Sequence, residues 1–180
     1  MSSQHLEALI AQNHGSAHMQ VVHINIVQYS KRQSYSQSAV IHEFTRLVNS
    51  ALLDLAQQAA LSAEDIVKAP TGDGIIIAFT FDDDPALANQ FVKSFDEGIR
   101  QLNQRIHCQH FENTQWCNCH PHFHAKMTIN GGRGIVYKDA NGSYNVVGPR
   151  LARIAVAAGA SEAMVTSLPA SLPPILHIEL

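Results

Sequence analysis

Two stretches of this chain repeat apolar residues at helical spacing, and short β-branched runs stand before, between and after them. That alternation limits the fold more than any single motif does. Between residues 38 and 60 the apolar positions are Val40, Ile41, Phe44, Leu47, Val48, Ala51, Leu52 and Leu55, the recurrence of a helix with one face turned to a core. From residue 85 to about 105, Leu87, Phe91, Val92, Phe95, Ile99 and Leu102 repeat the pattern. Strands are predicted for "MQVVHINIVQYS" (19–30), for residues 65–69 and 74–81 around a glycine turn, and for "FHAKMTI" (123–129), "RGIVYK" (133–138) and "SYNVV" (143–147), because these runs are short, branched or aromatic, and bounded by turn residues. "NGG" joins two of them as a hairpin signal, and "DANG" (139–142) turns the chain again. A short helix at 4–12, a helix at about 149–159, a strand at 163–167 and an extended, proline-punctuated tail complete the pass. "LSAED" marks the start of an element, with Ser62 and Asp65 three apart. "DDDP" (82–85) marks a helix start, since Asp and Pro suit a first turn. The order β-α-β-β-α-β-β predicts a ferredoxin-like βαββαβ α+β fold, an antiparallel sheet covered by helices.

With 180 residues, 46% of them hydrophobic, the chain fits one compact domain. No internal repeat or boundary divides it. Its net charge of -3 and its lack of a basic run argue against nucleic-acid binding, which needs clustered Lys and Arg. A phosphate-bearing small ligand stays open, because backbone amides and a metal can hold one. No apolar stretch approaches the ~18 residues that span a bilayer, and the first residues lack a signal-peptide pattern. A soluble, cytoplasmic protein is expected. The three cysteines, all within 108–119, do not suggest a disulfide framework.

Two segments could carry chemistry. In "KAPTGDGIIIAF" (68–79), Asp73 stands between two glycines ahead of a buried-type strand. Such a carboxylate is either a turn-former or a metal ligand. The segment 107–122 and the residues just after it hold His107, Cys108, His110, Cys117, Cys119, His120, His122 and His124. Thiolates and imidazoles would suit Zn²⁺, but there is no CxxC pair. The alternative is a loop insertion before a strand, with His122 and His124 on one strand face. His23 and His42 read as core histidines.

Three segments, taken together and in order, resemble the catalytic domain of class III adenylate and guanylate cyclases over residues 19–168. "VVHINIVQYS" is similar to that family's "FxDIxGFS" strand and "KAPTGDGIIIAF" to its "GDG" hairpin. "HAKMTINGGRGIVYKDANGSYNVVGPRLARIAVAAGASEAMVTS" is similar to its "GIxxGxV…YxxxGxxxNxAxR" stretch. The resemblance implies in-line attack of a ribose 3′-oxygen on the α-phosphorus of a nucleoside triphosphate. Two Mg²⁺ or Mn²⁺ ions would assist, with pyrophosphate leaving, in a homodimer whose active sites lie at the interface. It further implies that Asp73 is a metal aspartate and that Ile26 offers its carbonyl. Gln28, Tyr29, Ser30 and Gly72 would lie along the triphosphate, and Arg153, or Arg150 if the register slips by a turn, would meet developing phosphate charge.

The departures from that family are specific. Asn25 stands where it has its first metal aspartate, keeping an oxygen ligand but losing a charge. The base-reading lysine slot is Ala69, with Lys68 one place off, and the base-reading acid slot is Asn145. Pro149 falls near the transition-state asparagine, and the C-terminal lysine strand has no counterpart. The small size resembles the short bacterial signalling cyclases, including the pyrimidine cyclases of antiphage (Pycsar) systems, and the non-purine residues at the base-reading slots, Ala69 and Asn145, make UTP or CTP the expected substrate and cUMP or cCMP the product. The alternatives are a catalytically degenerate domain that binds nucleotide or a partner without turnover, and a zinc-organised interaction module.

Overall fold

The structure is a computed structural model that describes residues 4–62, 65–81, 85–105, 107–114, 116–148 and 176–178. Its elements are α1 (Gln4–Asn13), β1 (Ser16–Ile26), α2 (Ser34–Gln58), β2 (Val67–Pro70), β3 (Gly74–Phe79), α3 (Ala86–Arg105), α4 (Gln109–Thr114), β4 (Ala125–Lys138), β5 (Tyr144–Val147) and β6 (Leu176–Ile178). The strands form one antiparallel sheet in the order β2-β3-β1-β4-β5, with β6 pairing β4. The first four of those strands have the ferredoxin-like order, so the predicted α+β class holds.

Strand alternation sorts β1 onto two faces. Val22, Ile24 and Ile26 face α2 and α3, where Phe44, Phe91 and Phe95 close the main core. Phe44 meets Phe95 edge-on with ring centres 5.6 Å apart, and each fully buried side chain of this size contributes roughly 1.5–3 kcal/mol. Met19 and Val21 face the other way and pack with Leu6 of α1, Ala78, Val136 and Val146. All the inward residues expected on α3 are buried apart from Leu87, which is partly so. No helix among the described residues is long and apolar enough to cross a membrane.

Several expectations need correction. "NGG" is not a hairpin: β4 runs unbroken through it, pairing with β1 from Ser16↔Ile135 to Ile26↔Ala125. The eleven residues of β1 demand a partner of equal length. The glycines serve close packing instead, since a Cβ on Gly131 would lie 2.7 Å from the Gln20 side chain. β1 stops at Ile26 rather than running to residue 30, because Gln28 takes a left-handed conformation (φ 58) and leads into a 3-10 turn, Tyr29–Lys31. His42 is exposed, whereas His23 is buried. His122 and His124 precede β4 and share no strand face: the first is buried and the second exposed. The segment taken as a loop insertion contains α4. The helix at 149–159, the strand at 163–167, Pro149 and residues 82–84 lie outside the described residues.

Candidate active site

The two glycines around Asp73 do different work. Gly72 has φ +89 with nothing near its missing side chain, so it supplies the left-handed turn between β2 and β3. Gly74 has an ordinary φ but no room: a Cβ there would lie 1.8 Å from the Ile24 carbonyl oxygen and 2.8 Å from Asn25 Oδ1. Gly74 is the register partner of Asn25, and the Ile26 amide donates to the Asp73 carbonyl at 2.9 Å. The hairpin is thereby drawn onto the end of β1, with Asp73 at its exposed tip.

A cleft of 310 Å³ opens there, lined by Asn25, Ile26, Val27, Gln28, Tyr29, Ser30, Asp73 and Lys126. Asn25 Oδ1 and Gln28 Oε1 are both buried without a hydrogen-bond partner. Buried acceptors of this kind cost about 1–3 kcal/mol each when left unmet, so the cleft wall is built for something that needs oxygen ligands. The Val27 amide is held by the His124 carbonyl (2.9 Å), and Arg32 and Lys31 amides close the 3-10 turn onto Tyr29 and Gln28 carbonyls, each at 3.1 Å. Tyr29 packs on the main core and Ser30 is exposed.

The other sequence-predicted residues are distributed as follows. Ala69 is buried and pairs with Ile76, on the sheet face that also carries Asn25. Lys68 pairs with Ile77, whose side chain joins the core under the helices. The pleat therefore turns the lysine away from the Asn25 face. Asn145 pairs with Tyr137 near the far end of β4, roughly 35 Å of strand from Lys126, and its Oδ1 accepts from the Val146 amide at 3.0 Å. It does not line the cleft of its own chain. Arg150 and Arg153 lie outside the described residues.

Two neighbours were not among the expected site residues. Lys126 is the register partner of Asn25 on β4 and brings a cation to the cleft; its place follows only once β4 is known to be continuous. His23 sits two residues before Asn25 on the same face. Burial holds its imidazole below the usual pKa, against the opposing pull of the Asp73 carboxylate.

A cation fits these donors. Asn25 Oδ1, the Ile26 carbonyl and the Asp73 carboxylate are hard oxygen ligands, the set that Mg²⁺ and Mn²⁺ prefer. Among the described residues Asp73 and Lys126 are the only charged side chains lining the cleft, so one negative charge offsets one positive. An ion there would need phosphate oxygens to complete its shell and its charge balance.

Behind the cleft, Arg32 is buried and donates to the carbonyls of Cys117 (2.7 Å) and His122 (2.8 Å). Ser36 Oγ donates to the Cys117 carbonyl at 3.2 Å. The Cys/His segment is thus fastened to the start of α2, directly after the turn that floors the cleft.

No family model and no curated protein matches the sequence. Solved structures do match its fold. The adenylyl cyclase CyaB from P. aeruginosa superposes with a TM-score of 0.59 at 14% identity, over 83% of this chain and 74% of that one. A bacterial light-regulated adenylyl cyclase superposes with a TM-score of 0.53 at 10% identity, over 74% of this chain. The match spans 64% of that chain's length. The chain therefore has the fold of the class III cyclase catalytic domains.

Proposed function

We propose that this chain is a nucleotidyl cyclase that converts a nucleoside triphosphate into a 3′,5′-cyclic nucleotide and pyrophosphate. The observation that carries the reading is the cleft at the end of β1, where unpartnered Asn25 Oδ1 and Gln28 Oε1 adjoin Asp73 in the fold shared with adenylyl cyclases. Asn25, the Ile26 carbonyl and Asp73 would hold Mg²⁺ or Mn²⁺. When bound, such ions neutralise phosphate charge and favour the ionised form of the attacking hydroxyl.

The chain's own residues handle the rest. Lys126 would place a positive charge beside the phosphates, and the turn 28–30, which lines the same cleft, would lie along them. Gly72 and Gly74 let the hairpin backbone approach. Because Asn145 is remote from its own cleft, it would read the base across a homodimer interface, together with Arg153 or Arg150 meeting phosphate charge. Ala69, small and apolar, and Asn145, which can donate and accept, do not form an adenine-reading pair of lysine and carboxylate. This favours UTP or CTP, with cUMP or cCMP serving bacterial antiphage signalling in the cytoplasm.

Asn25 also supports a second reading. A neutral amide in place of a carboxylate weakens cation binding and would suit a domain that binds nucleotide without turnover.

The test incubates purified protein with ATP, GTP, CTP or UTP and Mn²⁺, and resolves the products, with Asn25→Asp and Asp73→Ala variants alongside. The expected result is a cyclic pyrimidine nucleotide from the unmodified chain and a loss of about 100-fold or more in Asp73→Ala, as for removal of a charge-stabilising group. Product from Asn25→Asp alone establishes the second reading. Product from neither overturns the cyclase assignment.

A further inference from the structure

Away from the cleft, the Cys/His segment gathers its ligand-type side chains into one place. Cys108 Sγ, Cys117 Sγ and a His122 ring nitrogen lie within 4.8 Å of one another, and so do Cys108 Sγ, Cys119 Sγ and a His110 ring nitrogen. Cys108 belongs to both sets, so the two triads meet at its sulfur. Four-coordinate zinc with ordinary Zn–S and Zn–N lengths sets sulfur–sulfur separations of about 3.8 Å and sulfur–nitrogen separations of about 3.6 Å. Within the first triad no pair is more than about 1 Å from these separations. Cys119 Sγ stands 3.6 Å from His110 Nδ1, and its exposed side chain has to rotate from there to reach an ion held by the other three.

A second observation points to a ligand. His122 has no solvent exposure, yet neither Nδ1 nor Nε2 has a hydrogen-bond partner. A neutral imidazole carries one donor and one acceptor, and a buried ring satisfies neither without a partner. Its edge contact with Phe111, ring centres 5.0 Å apart, supplies packing but no acceptor for the N–H in the ring plane. A metal on one nitrogen removes half of that deficit and gives the ring a reason to be buried beside two thiols.

The third observation is charge. Arg32 is buried, and among the described residues its guanidinium meets only the carbonyls of Cys117 and His122; its Nε has no partner. No carboxylate pairs with it among those residues. A zinc ion with three thiolates and one imidazole carries a net charge of about −1, which supplies the missing counter-charge just behind the two carbonyls.

We infer that Cys108, Cys117, Cys119 and His122 form a structural Zn²⁺ site. Binding releases the three thiol protons to solvent, and His110 then donates to the Cys119 sulfur as an outer partner. The site is closed, with four protein ligands and no open position, so its role is to fix the segment rather than to react. What it fixes is specific. The Cys117 and His122 carbonyls anchor Arg32, and the Val27 amide anchors to the His124 carbonyl, so the knot holds the turn 27–32 in the shape that walls the cleft.

The test is made on the full chain with zinc itself. Protein purified from zinc-supplemented culture is dialysed against a weak chelator and its metal content measured. Refolding with Co²⁺ then reads the ligands through thiolate-to-metal absorption. One zinc per chain and a tetrahedral cobalt–thiolate spectrum are expected. Cys117→Ser, His122→Ala and the exposed-position variant Cys119→Ser should each lower zinc affinity by about 100-fold or more, in proportion to one ligand of four. His110→Ala should retain the ion. Cys119→Ser keeps the test valid if the buried variants fail to fold. Unmodified protein free of zinc and without a cobalt–thiolate spectrum would overturn the inference, as would retention of zinc by Cys119→Ser. Loss of the ion in His110→Ala but not in His122→Ala would overturn the ligand assignment. None of these outcomes depends on cyclase activity.

Discussion

Replacing each of the two glycines beside Asp73 by alanine separates turn geometry from close packing. At Gly74 the new Cβ would stand 1.8 Å from the Ile24 carbonyl oxygen, 2.9 Å from its carbon and 2.8 Å from Asn25 Oδ1. Ordinary contact needs more than 3 Å, so β3 must retreat from β1 by over an ångström. β1 cannot follow, because β4 holds its other edge along all eleven residues. Overpacking of this kind costs about 1–3 kcal/mol. Losing the Ile26–Asp73 backbone bond adds about 1 kcal/mol. At Gly72 no atom lies within 4 Å, and only the positive φ of +89 opposes a side chain, at about 1 kcal/mol. For a domain of this size each kcal/mol moves the midpoint by about 2–4 °C. Thermal unfolding followed by circular dichroism should therefore fall by about 6–12 °C in Gly74→Ala and about 2–4 °C in Gly72→Ala. If Mn²⁺ binds as proposed, the first variant should also lose most of the stabilisation it gives, since Asn25 Oδ1 is displaced, whereas the second should keep it. Equal melting points, or a greater loss in Gly72→Ala, would refute the reasoning that Gly74 exists for contact rather than for turning.

Three further outcomes follow from the same geometry. Asn25→Asp puts a charge beside the proposed ion. Coulomb's law at 4 Å from a dication gives about 2 kcal/mol in bulk water and about 8 at an effective dielectric of 20. Desolvation of the carboxylate offsets much of this, leaving about 2–3 kcal/mol, or roughly 30–150-fold tighter Mn²⁺ binding by calorimetry, with lower stability in the metal-free protein. Lys126→Ala should weaken triphosphate binding about 5–30-fold, by about 1–2 kcal/mol, while a nucleoside without phosphates is unaffected; equal effects on both would show that Lys126 does not face phosphate. Arg32→Met leaves the buried His122 carbonyl unmet and the Cys117 carbonyl with only the Ser36 hydroxyl, for a loss of about 1–3 kcal/mol in urea unfolding; an unchanged midpoint would mean that the segment does not depend on this clamp.

Much of the fold was legible because it rests on periodicity. Phe91, Phe95, Ile99 and Leu102 on α3 and Phe44, Leu47 and Val48 on α2 could only be an inward face, and they are buried. "NGG" misled because a glycine-rich hairpin signal is local, while the pairing that overrides it comes from β1, about a hundred residues earlier in sequence. The end of β1 misled for a related reason: nothing in "VQYS" marks Gln28 as left-handed, since that conformation is held by tertiary bonds such as Val27 to His124. Residues 25–30 and Asp73 line one cleft. Lys126 was invisible, because its position depends on the register of a strand read as two pieces. The Cys/His residues were visible as a composition but not as a cluster, because their spacing does not show that α4 brings Cys108 back to Cys117 and His122.

The proposed chemistry depends on a cation held between β1 and the β2–β3 hairpin. The most direct test is a crystal soaked with Mn²⁺ and a pyrimidine nucleoside triphosphate, with diffraction collected at the manganese edge. The expected result is an anomalous peak in contact with Asn25 Oδ1 and the Asp73 carboxylate, shared with phosphate oxygens. A nucleotide bound without manganese at that position, or a cleft holding neither, would contradict it.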